Sequence, residues 1–466
     1  MSFSFCGSCK RCSSRLSDFP TSSDERCCCL CCGATAAVES CARIAQEQFA
    51  ASPFDTGDFA VAFELPASYT FLEHVVSLFS GSQHIDVKDV LREDLCSAFE
   101  QHLSLKFNQS SDFTIKVTVA DDAVDEEVVQ FMRDSMAVSN DLINPKKRKL
   151  NRGNQHDVGP QKSRLSRGAV VALAKQLTAD LARSFHLTLS ADHVPQMSAA
   201  FEREPLILGG RYRKFSRFLP QSPWTGDEYS TSISQLMAAV CVDFVNSGRE
   251  DADVRMLGDG RPFAVQLTNP RRKAAYVSAD EEADARLGAL EAALNAQLAS
   301  AASVSTLRRV SRGQLAQLND SADSKEKSYA ALCYVESSSS LAGLGMDDLK
   351  GHLAQFDSPI VLSQRTPVRV LHRRPNSVRE KRVVLLSVDV LDAHHLLVRL
   401  RTQAGTYVKE FVHGDFGRTR PALADLLPLP NAVVDIFELD VERIHYDWPP
   451  AEYDENATLV EKRVVK

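Results

Sequence analysis

The chain has 466 residues, 44% hydrophobic and 25% charged, with a formal net charge of −7. This is ordinary globular usage, so wholesale disorder is excluded and about three domains are expected. The acidic balance excludes a chain-wide cationic surface, and no uncharged apolar run approaches the roughly 18 residues of a membrane helix, so no membrane partner is expected. The opening Met1-Ser2-Phe3-Ser4-Phe5-Cys6 lacks the basic and apolar regions of a signal peptide, so the protein is expected to be intracellular.

In chain order, residues 1–48 form a cysteine-rich segment. Apolar spacing predicts helices over 67–80 and 88–106, and Phe113 to Val119 alternates like a strand. Residues 140–168 break this pattern with a basic, apolar-poor stretch that includes Lys146, Lys147, Arg148 and Lys149. A helical pattern returns at 168–186, so the basic stretch is read as a loop inserted in one domain. A helix is predicted over 231–246, stopping at Ser247-Gly248, and a strand pair over 253–268 around Gly258-Asp259-Gly260. Residues 279–301 are acidic and alanine-rich, as in a surface helix. Strand-like runs follow at 329–335, 367–371, 381–390, 395–402 and 433–443. The second half is therefore α+β with a mostly antiparallel sheet.

The cysteines are unevenly placed. Eight of the twelve lie within the first 32 residues. Cys9/Cys12 and Cys29/Cys32 are two C-x2-C pairs with sixteen residues between them. Two such knuckles can place four thiolates tetrahedrally around a structural Zn²⁺. Cys6/Cys9 with Cys28/Cys31 fits the same spacing, so the register stays open. Four cysteines close the coordination shell, which argues against a zinc-dependent hydrolase.

Basic residues cluster locally. Lys146–Lys149 suits a nuclear import signal or a phosphate patch. Arg365 to Arg382 carries seven Lys/Arg against one acid. Arg211 to Phe218 interleaves arginines with aromatics, as phosphate-plus-stacking surfaces do, although arginine stems packed on rings would look the same. Three such patches on an acidic chain favour a docked polyanion.

At Arg249-Glu250-Asp251-Ala252-Asp253 the sequence resembles the catalytic motif of the archaeal and eukaryotic pseudouridine synthases that modify tRNA uridines 54 and 55. The resemblance extends over about residues 200–450. It includes Pro205 to Trp224, Gly258-Asp259-Gly260-Arg261-Pro262-Phe263, Thr366 to Pro375, Thr402 to Thr419 and Asp447-Trp448-Pro449-Pro450. It implies a pseudouridine synthase fold over 198–466, with a mixed, mostly antiparallel sheet and a central cleft. It also implies a THUMP-like α/β RNA-binding accessory domain over 49–197, behind the zinc segment. Cys9-Lys10-Arg11-Cys12 resembles the first cysteine pair of that family, which favours Cys9, Cys12, Cys29 and Cys32 as ligands.

The resemblance also assigns roles. Asp251 is the implied nucleophile, with Asp253 as its rival. Lys409 is the implied cation beside it, which would keep the carboxylate ionised. Tyr329 is the implied base-stacking tyrosine, its phenol also able to act as general acid or base, and Tyr407 lies beside the substrate. Arg261, Arg373 and Arg374 are candidate tRNA phosphate contacts. The reaction is redox-neutral and needs no organic cofactor. The expected partner is tRNA, with other structured RNAs open, and the expected state is a monomer in nucleus and cytoplasm. The competing function is a zinc and THUMP RNA-binding protein that acts in RNA processing without catalysis.

Overall fold

A computed structural model describes residues 12, 28, 30–78, 86–136, 167–185, 187–190, 192–224, 228–238, 243–246, 248–277, 281–320, 325–339, 341–343, 345–356, 358–455 and 457. The chain divides into two compact units, Met1–Glu204 and Pro205–Lys466. Most of the basic stretch at 140–168, with Lys146–Lys149, lies outside the described residues.

The first unit is α/β. Its strands are β1 (Asp58–Glu64), β2 (Lys106–Phe107), β3 (Phe113–Ala120) and β4 (Gln196–Arg203), in the order β2-β1-β3-β4. β3 alternates as expected, with Phe113, Ile115, Val117 and Val119 all buried. The helix Val87–Leu103 starts where the Asp86 carboxylate accepts from the Lys88 backbone N–H at 2.8 Å. It buries Val90, Leu91, Leu95 and Phe99 along one stripe. The expected domain boundary at 197/198 falls inside β4. That strand pairs antiparallel with β3 from Phe113↔Arg203 to Ala120↔Gln196, which keeps it in the first unit.

The second unit is α+β around one ten-stranded sheet. Its strands are β5 (Leu206–Lys214), β6 (Asp243–Asn246), β7 (Arg255–Leu267), β8 (Ala302–Arg309), β9 (Lys327–Glu336), β10 (Ile360–Arg365), β11 (Val378–Val390), β12 (His395–Thr402), β13 (Thr419–Arg420) and β14 (Val433–Ile444). Their order is β13-β10-β11-β12-β9-β14-β7-β5-β8, with β6 on β7. Among its described residues only β14 and β7 run parallel, through Asp440↔Arg255 and Val441↔Met256. Leu396, Val398 and Leu400 of β12 pack with Ala331, Cys333 and Val335 of β9, and with Phe411 and Val412 of the helix Val408–His413. Each such buried side chain contributes about 1.5–3 kcal/mol.

Three expectations for this half change. The helix expected over 231–246 stops at Ala238, and Asp243–Asn246 is a strand on β7. Phe244 and Val245 are better placed against a pleated surface than on a helix end. The expected strand pair over 253–268 is one strand that bends at Gly258 and Gly260, both at positive φ. A Cβ on Gly258 would sit 1.9 Å from the Glu442 carbonyl, so only glycine lets β14 approach there. The run 367–371 is a 3-10 turn over Val368–Val370, because Pro367 fixes φ and leaves no N–H for a ladder. The strand is Ile360–Arg365 instead.

Candidate active site

The parallel meeting of β14 and β7 is short, and a cleft opens beside it. Arg255 holds Asp440 through two nitrogens, at 2.9 and 2.5 Å, and Arg217 holds the same carboxylate at 2.8 Å. The cavity measures about 630 Å³ and is lined from β9, β14, the 249–254 turn, the 369–381 segment and the 404–409 segment. That size suits a small-molecule or nucleotide-scale group.

Asp251 lies in the turn that leads into β7, where the Val254 N–H donates to its carbonyl at 3.1 Å. A buried lysine holds this turn. Lys214 Nζ donates to the carbonyls of Leu219, Asp251 and Ala252 at 3.0, 3.1 and 2.7 Å. Burial pushes the Lys214 ammonium down to about 8, against nearby Glu250 and Asp253, which favour its charge.

Beneath the turn lies a second, fully buried group. Glu250 Oε2 accepts from Arg261 Nε at 2.6 Å, and its two oxygens accept from Tyr212 Oη at 2.9 and 3.1 Å. Gln221 Nε2 donates to Tyr212 Oη at 2.6 Å and to the Gly248 carbonyl at 3.0 Å. The residues on either side of Asp251 are thus fixed from below, and its carboxylate is left at the cavity wall.

Two cations reach that carboxylate. Arg369 Nη1 lies 3.1 Å from Asp251 Oδ2, while Arg369 Nε donates to Glu410 Oε1 at 2.7 Å. Burial alone would lower the Arg369 pKa, but Glu410 and Asp251 raise it, so the guanidinium is held charged. Lys409 Nζ is 3.7 Å from Asp251 Oδ2 and 2.6 Å from Asp253 Oδ2. Burial pushes Asp253 up, yet its hydrogen bond and attraction to Lys409 leave it below the usual carboxylate range. Asp251 lines the cavity; Asp253 does not. Arg369 is a residue that the sequence reading missed, 118 positions from its partner. Its only signal was membership of the basic run from Arg365.

The tyrosines also reach the cavity wall. Tyr329 stands on β9, level with Leu400 of β12 and Val441 of β14. Burial pushes its phenol up to about 12, with Arg261 pulling down and Glu250 and Asp251 adding to the rise. The phenol is protonated at neutral pH and can donate a hydrogen bond. Tyr407 is clamped through its backbone. Gln364 accepts from its N–H and donates to its carbonyl, both at 2.9 Å. Its own hydroxyl is buried without a hydrogen-bond partner. A buried hydroxyl of this kind is satisfied by a ligand at little cost.

Arg373 and Arg374 are exposed and line the rim. Arg261 is a correction. It is 1% exposed and paired with Glu250 at the cavity wall, so it supports the Asp251 turn rather than standing on an exposed phosphate-binding surface. The Arg211–Phe218 stretch is split: Arg211, Tyr212 and Lys214 are internal, whereas Phe215 and Phe218 are exposed. Arg211 donates to the carbonyls of Asp259, Gly260, Tyr446 and Trp448, and Tyr212 and Lys214 are buried.

In the first unit, the sulfurs of Cys12, Cys28 and Cys31 lie within 4.8 Å of one another, and all three residues are buried. This differs from the favoured register. Cys9 and Cys29 lie outside the described residues, and Cys32 is not among the converging sulfurs. Cys32 sits in a turn at φ 47°. Three buried, converging thiols are a soft donor set that fits zinc.

The family described as Pus10, C-terminal, matches residues 207–445. The tRNA pseudouridine synthase Pus10 of Mus musculus is 40% identical over 258 residues, covering 53% of this chain and 45% of that protein. The chain thus spans about half the length of such curated relatives. The Methanothrix thermoacetophila protein of the same name is 32% identical over 360 residues, covering 69% of this chain and 73% of its own length. Among solved structures, a Cbf5-Nop10-Gar1 complex aligns at 16% identity with a TM-score of 0.27, over 50% of this chain and 48% of that one. The matched residues include the Asp251 turn, Tyr329, Arg369 and Lys409, and the match spans more than half of the sequence. The chain is a member of the Pus10 family.

Proposed function

We propose that this chain is a tRNA pseudouridine synthase that isomerises a T-arm uridine, at position 54, 55 or both. The observation that carries the reading is Asp251, a carboxylate at a cavity wall between Arg369 and Lys409, in a cleft otherwise dominated by cations. A polyanion is drawn to such a cleft, and one aimed carboxylate within it suits covalent catalysis. The relatives named above carry the same activity in their names.

In the reaction, the uridine leaves its stack and enters the cavity. The C1′–N1 bond breaks with Asp251 supplying the electron-rich oxygen at the sugar. The uracil turns, C5 bonds to C1′, the C5 proton is released and N1 gains one, so atoms and electrons balance without a cofactor. Arg369 and Lys409 orient Asp251. Tyr329 supplies a ring face for the base, and the Tyr407 hydroxyl supplies an unused donor. Arg373 and Arg374 hold phosphates at the rim. Release of tritium from tRNA transcribed with 5-³H-uridine tests this directly, and absence of release with bound tRNA sinks it.

The two cations should differ. Arg369 bridges Asp251 and Glu410 with separate nitrogens, a geometry lysine cannot reproduce. Arg369→Ala is expected to lower kcat roughly 10²-fold, with Arg369→Lys recovering little of it. Lys409→Ala should cost about tenfold, because its nearer partner is Asp253. A larger loss for Lys409→Ala than for Arg369→Ala would reverse the assignment.

We further propose that Cys12, Cys28 and Cys31 hold a structural zinc ion, with one more ligand completing the tetrahedron. Bound zinc would supply cross-linking of a segment with little core of its own. Purified protein is expected to contain about one zinc per chain by elemental analysis, and Cys31→Ser to lose it together with several degrees of thermal stability. A zinc-free wild type with the same melting temperature would exclude the site.

A further inference from the structure

The turn after the Val408–His413 helix has an unusual backbone. Gly414, Asp415, Phe416 and Gly417 all lie at positive φ, at 76°, 45°, 57° and 80°. Glycine adopts this region freely, but Asp415 and Phe416 do so only under constraint. The constraint is visible. The Asp415 N–H donates to His413 Nδ1 at 3.1 Å, and its Oδ2 accepts from the Val368 N–H at 3.3 Å and lies 3.4 Å from Arg418 Nε. Asp415 is buried, so the turn is anchored from within.

What this anchoring presents is Phe416, which is 94% exposed. A large apolar ring held out in water by a strained, well-tethered turn has no role in the core. Its position is informative. Val368, which Asp415 grips, immediately precedes Arg369, the residue that holds Asp251. Lys409 lies in the first turn of the short helix that leads into the same turn. Basic residues also flank the turn: Arg418 pairs with Asp415, and the Arg420 guanidinium, paired with Asp425, reaches within 3.8 Å of where a Gly417 Cβ would stand.

An exposed aromatic ring, on a turn tied through Asp415 and Val368 to the arginine that holds Asp251, matches the chemistry of an unstacked nucleobase. We propose that Phe416 is an RNA-stacking wedge. It covers a base next to the target uridine and holds the RNA open while the uridine occupies the Asp251 cavity. The idea rests on the RNA-modifying function proposed above. Such wedges offset the unstacking that base extrusion requires.

The full chain is tested with a T-arm stem-loop RNA, with binding read separately from turnover in the Asp251→Asn background. Phe416→Ala is expected to weaken binding about tenfold or more, since one base–aromatic stack is lost. Phe416→Trp is expected to keep the affinity, and its added indole fluorescence should be quenched by the RNA. Nothing in the fold depends on this ring, so the melting temperature should not move. Wild-type affinity for Phe416→Ala, or an unquenched indole in Phe416→Trp, overturns the wedge and leaves the ring to a protein partner. If the wild type converts no uridine yet Phe416→Ala still weakens binding, the wedge stands and the catalytic proposal falls. If the wild type converts uridine and Phe416→Ala binds equally well, the reverse holds.

Discussion

Asp251→Asn is expected to lower pseudouridine formation roughly 10⁴-fold or more, with no measurable change in folding stability. The substitution keeps shape and removes a cavity-lining carboxylate; the other one in that lining, Glu250, is already engaged by Arg261 and Tyr212. Its contacts are a partly exposed ion pair with Arg369 and a longer one with Lys409, and such pairs contribute only about 0–1 kcal/mol. Catalysis and stability are therefore separable at this position. Single-turnover kinetics with saturating tRNA, alongside a melting curve, measures both. Residual turnover within tenfold of wild type would remove Asp251 from the chemistry.

The neighbouring residue should behave in the opposite way. Glu250→Ala leaves Arg261, whose side chain is 2% exposed, as a buried cation without its carboxylate. Loss of one member of such a pair costs about 3–5 kcal/mol. For a unit of this size that corresponds to a fall in melting temperature of about 10 °C or more. The Tyr212 hydroxyl also loses its acceptor, which loosens the group that Gln221 donates to. Replacing both charges, as in Glu250→Leu with Arg261→Met, should recover much of the stability, because no uncompensated charge remains. Equal melting temperatures for wild type and Glu250→Ala would show that this pair does not support the turn.

Much of the sheet was legible in the sequence. The strand-like runs at 329–335, 381–390, 395–402 and 433–443 all became strands. The Asp251 turn was legible through its motif. Arg369 was not, because its role depends on a turn after Pro367 that brings it to a residue 118 positions away. Arg261 was misread for a related reason. Sequence shows a charge but not its burial, and a buried arginine paired with Glu250 serves the fold rather than the substrate. The cysteine register was ambiguous because crowded cysteines satisfy several spacings at once, and only geometry groups Cys12 with Cys28 and Cys31. Phe416 carried no sequence signal either, since its exposure comes from a left-handed turn that Asp415 anchors.

The most direct measurement is position-resolved pseudouridine mapping on an unmodified tRNA transcript treated with wild type or Asp251→Asn. Pseudouridine at T-arm uridines with the wild type, and none with the variant, is the predicted result. Conversion by both proteins, or by neither despite tight tRNA binding, would contradict it.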